Sequence, residues 1–177
     1  MTKLHFRAAT APEAPQIHQL VESAFRAEDS RPQWTADMSL GHSFRLDIQH
    51  ITTPIENPDS AVLVACDQGN NPIASVQVSK RTEDMARIAL LAVNENHQRS
   101  GIGHRLLDYA EEYCRNTWGV DRMGLNALST REELILWYTR CGYRKTGEHT
   151  PFRPPRDTES LPKTPETLFF VEMEKQL

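Results

Sequence analysis

Gln98-Arg99-Ser100-Gly101-Ile102-Gly103 stands between the apolar run Ile88 to Val93 and an amphipathic stretch that begins at Ile102. A short glycine-bearing turn that joins a strand to a helix start is suited to holding phosphate. The first N–H groups of a helix have no partner inside it, and the aligned peptide dipoles place about half a positive charge there. Gly101 and Gly103 carry no Cβ, so a bulky anion can approach the backbone, and Arg99 adds a charge that does not titrate. His104 contributes a backbone N–H, a role that ignores its side chain. Taken alone, the hexapeptide is also compatible with a tight turn before an ordinary surface helix. A dinucleotide fingerprint would need a third small residue where Leu106 stands, and a Walker A loop would need Gly-Lys-Ser/Thr where Gly103 is followed by His104 and Arg105.

The elements that must position this loop follow from periodicity. Leu4 to Ala9 predicts a first strand, and Thr10-Ala11-Pro12-Glu13 has the form of a capping box with proline in the first turn. Ile17, Leu20, Val21, Ala24 and Phe25 then mark one apolar helical face. Glu28 to Asn57 is less regular, with a weaker helical pattern in Phe44, Ile48 and Ile51 that ends among Pro54 and Pro58. Ala61 to Cys66 and Ile73 to Ser79 read as strands joined by the turn-forming Asp67 to Pro72, and Met85 to Val93 as a third strand. After the loop, Ile102, Leu106, Ala110, Tyr113 and Cys114 form the buried stripe of a helix. Met123 to Leu128 is the next strand, expected to pair in parallel through a right-handed crossover. Arg131 to Arg140 predicts a short helix stopped by Cys141-Gly142. Tyr143 to Glu148 and Leu168 to Lys175 close the chain as an antiparallel pair, with Phe169, Val171 and Met173 alternating onto one face. Thr150 to Thr167, rich in proline and charge, reads as an excursion over the surface.

The 177 residues are enough for one domain with its own core, and neither a repeat nor a second domain is apparent. Hydrophobic content of 38% and charged content of 25% are those of a soluble globular protein. A formal charge of -4 and a pI near 6.0 argue against general nucleic-acid binding. The sequence shows no charged-then-apolar leader and no apolar run near the length of a membrane span, so a cytoplasmic protein without a membrane partner is expected. Cys66, Cys114 and Cys141 are odd in number and lie in apolar surroundings, which suits reduced core thiols. The histidines do not pair with one another or with cysteines at metal-ligand spacings, so no metal is expected.

The Gln-x-x-Gly-x-Gly spacing between strand and helix resembles the acyl-CoA pyrophosphate loop of the GNAT superfamily, the acyl-CoA-dependent N-acyltransferases. The element order β-α-α-β-β-β-α-β-α-β-β resembles the same superfamily over nearly the whole chain. A second motif agrees: Leu134, Tyr138, Gly142 and Tyr143 fall on its pattern of Asn, Ala, Tyr and Gly-Phe or Gly-Tyr. Two positions depart from it, because Leu134 replaces the small residue and Arg131 stands where an asparagine often contacts the pantetheine arm. An arginine there could instead reach a phosphate or pair with Glu132 or Glu133.

The resemblance implies an α+β fold over residues 1–177. Its central, mostly antiparallel mixed sheet would hold a parallel pair at the acyl-CoA site, flanked by helices. It implies direct transfer of an acetyl group from acetyl-CoA to an amine, with both substrates bound together and without a covalent enzyme intermediate. Gln98, Arg99, Ser100, Gly101, Ile102, Gly103 and His104 would hold the pyrophosphate. The backbones of Leu91, Ala92 and Val93 would guide the pantetheine arm, and a backbone N–H there would polarise the thioester carbonyl. Arg131 would join the cofactor contacts.

Tyr138 would protonate the departing thiolate. A phenol of pKa about 10 is protonated at neutral pH, and a thiolate whose conjugate acid has pKa about 8.5 needs modest help. Tyr138 also shares helical spacing with Leu134, Trp137 and Cys141, as a core aromatic would. An amine of pKa about 10.4 loses its proton at pH 7 at a cost of about 4 to 5 kcal/mol, so a base or water chain is needed. Glu83 is the first candidate, with Asp84 beside it and then Glu28 and Asp29; each is also an ordinary loop carboxylate. Glu28, Arg31 and Trp34, with Thr35, lie in the segment that lines the acceptor pocket in this fold, although Trp34 could equally plug a local core. A small primary amine is the expected acceptor. The alternatives are a peptide or protein amine, with the Thr150 to Thr167 excursion as one wall of a groove, a non-catalytic acyl-CoA sensor, and a protein that binds another nucleotide. A homodimer is compatible with the sequence, since the last strand could pair across an interface.

Overall fold

The computed structural model describes residues 3–26, 46–98, 100–129, 131–151 and 169–177. Seven strands form one sheet: β1 (His5–Ala8), β2 (Ser60–Cys66), β3 (Pro72–Lys80), β4 (Met85–Val93), β5 (Arg122–Leu128), β6 (Arg144–Pro151) and β7 (Phe169–Gln176). Their spatial order is β1-β2-β3-β4-β5-β7-β6. Every neighbouring pair is antiparallel except β4 and β5, which are parallel. The expected mixed sheet with one parallel pair is therefore present. That pair is joined through α3 (Ile102–Trp118), as a parallel pair requires a crossover.

Helices cover both faces. Leu106, Leu107, Ala110 and Cys114 of α3 pack in the larger core against Leu63, Val78, Ile88, Met123, Leu125, Val171 and Met173. On the other face α1 (Ala14–Arg26) and α2 (Gln49–Glu56) bury Ile17, Val21 and Ile51 against Val62, Val64 and Ala92. No residue of β5, β6 or β7 belongs to this second cluster, so the packing of α1 and α2 stops at β4.

Local chemistry explains the element ends. Thr10 and Glu13 close the expected capping box, over a short 3-10 turn at Ala11–Glu13 that precedes α1. The helix α2 runs through Pro54 and ends at Glu56, between Pro54 and Pro58 as expected. Proline has no N–H to give to the carbonyl four residues back, that of His50, and the Gln77 side chain of β3 donates to that carbonyl instead. The strand β6 continues to Pro151, beyond the expected end at Glu148. It lies at the sheet edge, where a proline leaves no ladder bond unmade. Among the described residues no helix is long and apolar enough to cross a membrane.

Candidate active site

The parallel ladder between β4 and β5 is short. Met85 pairs with Arg122, Ala86 with Met123 and Arg87 with Gly124, and beyond Arg87 the two strands share no further pair. Leu125 to Leu128 of β5 remain paired only with β7. Ile88 to Val93 therefore keep β3 on one side and present backbone groups without a ladder partner on the other. A bulge deepens the break. Ser75 pairs with Ala92 but Gln77 with Ala89, so β4 carries one extra residue, and Leu90 sits at φ +52°. A left-handed leucine costs roughly 1 to 3 kcal/mol, a strain typical of functional segments. The result is a fork between β4 and β5 with an unpaired strand edge along one arm, and an extended chain bearing amides can add itself there.

The phosphate loop stands at the open end of this fork. A 3-10 turn at Glu95–His97 follows β4, started by Asn94, whose side chain accepts the Asn96 N–H at 2.9 Å. Gln98 turns back to donate from Nε2 to the Val93 carbonyl at 3.2 Å, and the Ser100 hydroxyl donates to the His97 carbonyl. Gly101, the N-cap of α3, has φ +82°, which glycine adopts without strain. The first bond of α3 runs from the Arg105 N–H to the Gly101 carbonyl at 3.1 Å, so the N–H groups of Ile102, Gly103 and His104 precede the helical ladder. A Cβ on Gly103 would lie 3.6 Å from Val93 Cγ2 and 3.7 Å from Trp137 Cζ2, ordinary contacts. The fold itself therefore leaves room at Gly103 that a side chain could use.

Trp137 belongs to α4 (Glu132–Arg140), the helix after β5. Its ring stands beside the position a Gly103 side chain would take, which brings α4 close to the loop, and a contact reinforces this: Cys141 Sγ lies 3.5 Å from His104 Nδ1. The half-exposed His104 ring also faces Asp108 at 3.4 Å. Tyr138, next to Trp137, is only 6% exposed. Its ring meets Trp137 at 5.1 Å and Tyr143 at 5.8 Å, both edge-on. Among the described residues no group hydrogen-bonds its hydroxyl, which is unusual for a buried polar atom. Burial pushes the phenol up to about 12, against a smaller downward pull from the Arg131 charge. Arg131 itself is the N-cap of α4, its N–H bonded to the Leu128 carbonyl at 2.9 Å.

Behind this group Tyr143 donates to Glu111 of α3 at 3.1 Å, and Lys175 of β7 reaches both Glu111 oxygens at 3.0 and 2.9 Å. This buried pair ties α3, β7 and the end of α4 together. Burial also pushes the Cys114 thiol up to about 12 and that of Cys141 up to about 11. Both stay protonated, and a protonated thiol is a poor nucleophile.

Of the residues expected from sequence, the structure thus gathers Leu91, Ala92, Val93, Gln98, Ser100, Gly101, Ile102, Gly103 and His104 around the end of β4, with Tyr138 on the helix that packs there. Glu83 stands apart. It lies before the first residue of β4, at the end where the strands are paired, with its side chain 98% exposed and 3.7 Å from Lys80. Asp84 is held beside it by the Thr82 hydroxyl at 2.7 Å and Arg122 at 3.1 Å, contacts that keep its carboxyl below the usual range. Arg99, Glu28, Asp29, Arg31, Trp34 and Thr35 lie outside the described residues, as does nearly all of the Thr150 to Thr167 excursion. Sequence reading missed the Leu90 bulge, because no glycine or asparagine marks it. It also gave Trp137 only a core role. No group of three or more potential metal ligands occurs among the described residues.

Comparison with known proteins agrees with this geometry. The chain is similar over 98% of its length to the ribosomal-protein-S18-alanine N-acetyltransferase of Escherichia coli, covering 94% of that chain at 14% identity and a TM-score of 0.71. The IAA acetyltransferase of Bacillus cereus matches 99% of this chain over 100% of its own, at 17% identity and a TM-score of 0.68. The spermidine/spermine N-acetyltransferase SpeG of Vibrio cholerae matches 98% over 92%, at 16% identity and a TM-score of 0.65. At these identities the likeness is one of fold. The curated proteins gave no match. Residues 15–143, which include the β4–β5 fork, the loop and Tyr138, match the model of the acetyltransferase (GNAT) family. The chain therefore belongs to the GNAT family of acetyltransferases, whose acyl donor is acetyl-CoA.

Proposed function

We propose that this chain transfers the acetyl group of acetyl-CoA to the primary amine of a small molecule, by direct attack within a ternary complex. The observation that carries the reading is the fork: a β4 edge unpaired among the described residues with a phosphate-ready helix start at its open end, and on the adjoining helix a buried phenol that no described residue hydrogen-bonds. In this reading the pyrophosphate rests on the N–H groups of Gly101 to His104, with Arg99 adding charge. The pantetheine amides extend along Leu91 to Val93, and Arg131 stands near the arm. A backbone N–H of β4 stabilises the oxyanion as the amine attacks the thioester carbonyl.

Tyr138 then protonates the thiolate as the C–S bond breaks. Burial disfavours both anions, so the phenol and the departing thiol rise together and the proton transfer keeps much of its matching. Glu28, Arg31 and Trp34 remain the proposed acceptor wall. Glu83, at the paired end of β4, could take up the amine proton only through a water chain.

The test is to mix the protein with acetyl-CoA and a panel of primary amines and short peptides, following free CoA thiol and the mass of the product. Turnover of at least one small amine, with no acetylated protein when the amine is omitted, is the expected result. Tight CoA binding with no turnover on any acceptor would make the chain a sensor, and stronger binding of ATP or NAD than of CoA would overturn the donor.

A further inference from the structure

Arg87, Asn126, Glu172 and Thr150 converge from four different strands on the face of the sheet opposite α3. Asn126 of β5 pairs in register with Glu172 of β7, and Thr150 of β6 pairs with Phe170 two residues away on the same face. Glu172 Oε1 accepts the Thr150 hydroxyl at 2.9 Å and the Asn126 amide at 3.4 Å. Its Oε2 accepts Arg87 Nη1 at 3.3 Å. The two charged side chains are only 16% and 26% exposed. Arg87 occupies the last paired position of the β4–β5 ladder, so its guanidinium crosses β5 at the root of the fork.

Three features make this cluster more than a surface ion pair. First, α1 and α2 pack only as far as β4, so the cluster lies on the part of this face that they leave uncovered. Second, the carboxylate is aimed by donors on both oxygens, yet Oε2 receives a single long bond and keeps accepting capacity. Third, Arg87 has no other partner among the described residues, and a guanidinium offers five N–H donors. A half-buried site with one spare acceptor and several spare donors complements a molecule with an ammonium beside a carboxylate.

Resting on the reading of the chain as an acetyl-CoA-dependent N-acetyltransferase, we infer that Glu172 and Arg87 select an amino-acid-like acceptor, Glu172 receiving its ammonium and Arg87 its carboxylate. The acceptor enters the fork from the face opposite α3. One ammonium proton passes to a Glu172 oxygen and on to solvent, which frees the nitrogen lone pair. The lone pair forms the new C–N bond as the C–S bond breaks, and the thiolate takes the Tyr138 proton. The surplus proton on the new amide nitrogen returns to the Tyr138 phenolate, so the sum is ammonium plus acetyl-CoA giving amide, CoA thiol and the one proton released to solvent.

The experiment compares matched pairs: phenylalanine with phenethylamine, tryptophan with tryptamine, lysine with cadaverine. Wild type should favour the carboxylated member by at least about tenfold in kcat/KM. E172Q should lose at least about tenfold on the best acceptor while acetyl-CoA binding and Tm stay at the wild-type values, and R87M should raise KM for carboxylated acceptors and erase the preference. E174Q, on the same face but paired with Arg122 at the closed end, serves as the control expected to match wild type. Preference for the amine lacking a carboxylate, or E172Q within twofold of wild type, would overturn the inference and leave the acetyltransferase reading standing. Absence of turnover on every acceptor, wild type included, would instead sink that reading and this inference with it.

Discussion

Tyr138 combines full burial with a hydroxyl that no described residue bonds, and its acidity follows from that burial. A phenol raised to about 12 stays protonated across the working range of an enzyme, so it remains a proton donor on the alkaline side where the amine becomes neutral. The predicted pH profile of kcat therefore rises with pH as the amine loses its proton and does not fall before about pH 10. A fall centred near pH 8 to 9 in steady-state rates would mean that a different, more acidic group is the donor. The place of Tyr138 on the helix beside the loop was legible in the sequence because its spacing to Gly142 and Tyr143 is local. The Glu172 cluster was not legible, because Arg87 and Glu172 are 85 residues apart and each reads as an ordinary alternating strand position.

Elements decide which candidate carboxylate meets the chemistry. The sequence places Glu83 just before a strand, but which end of β4 opens depends on where its ladder with β5 stops, at Arg87 and Gly124, and the bulge at Leu90 lies beyond that point. Nothing local in Leu90 or Leu91 announces a bulge. By contrast, the N-terminal junction was legible from Thr10 and Glu13, and its energetics can be measured. Arg7 of β1 donates to both Glu13 oxygens at 2.8 Å, and the Thr10 N–H donates to Oε1 at 3.0 Å. The Arg7 hydrogen bonds lead in holding the Glu13 carboxyl at about 2, below its ordinary 4.5. A depressed carboxyl stabilises the fold above the unfolded value and loses that contribution as pH falls toward the folded value. The pair should contribute about 1 to 3 kcal/mol at neutral pH, after allowing for partial solvent screening. E13Q is therefore expected to be less stable than wild type by that amount in urea unfolding at pH 7, with the difference shrinking between about pH 4.5 and about pH 2. A difference that is constant with pH would show that the loss is one of packing.

At the scale of the whole molecule, the sheet order and the parallel pair were legible because a strand–helix–strand unit between antiparallel neighbours admits few arrangements. The extension of β6 to Pro151 was not, since a proline signals a break unless the strand is known to be an edge. In the proposed reaction the whole architecture converges on one chemical event at the fork: the loop at the start of α3 would anchor the donor, and the helix following β5 would supply the acid. Replacing that acid without disturbing the anchor tests the proposed chemistry most directly. The measurement is kcat of Tyr138→Phe at saturating acetyl-CoA and amine, alongside its acetyl-CoA Kd by calorimetry. A fall in kcat of about 10² to 10⁴-fold with Kd within about threefold of wild type is expected, and an unchanged kcat would contradict Tyr138 as the acid.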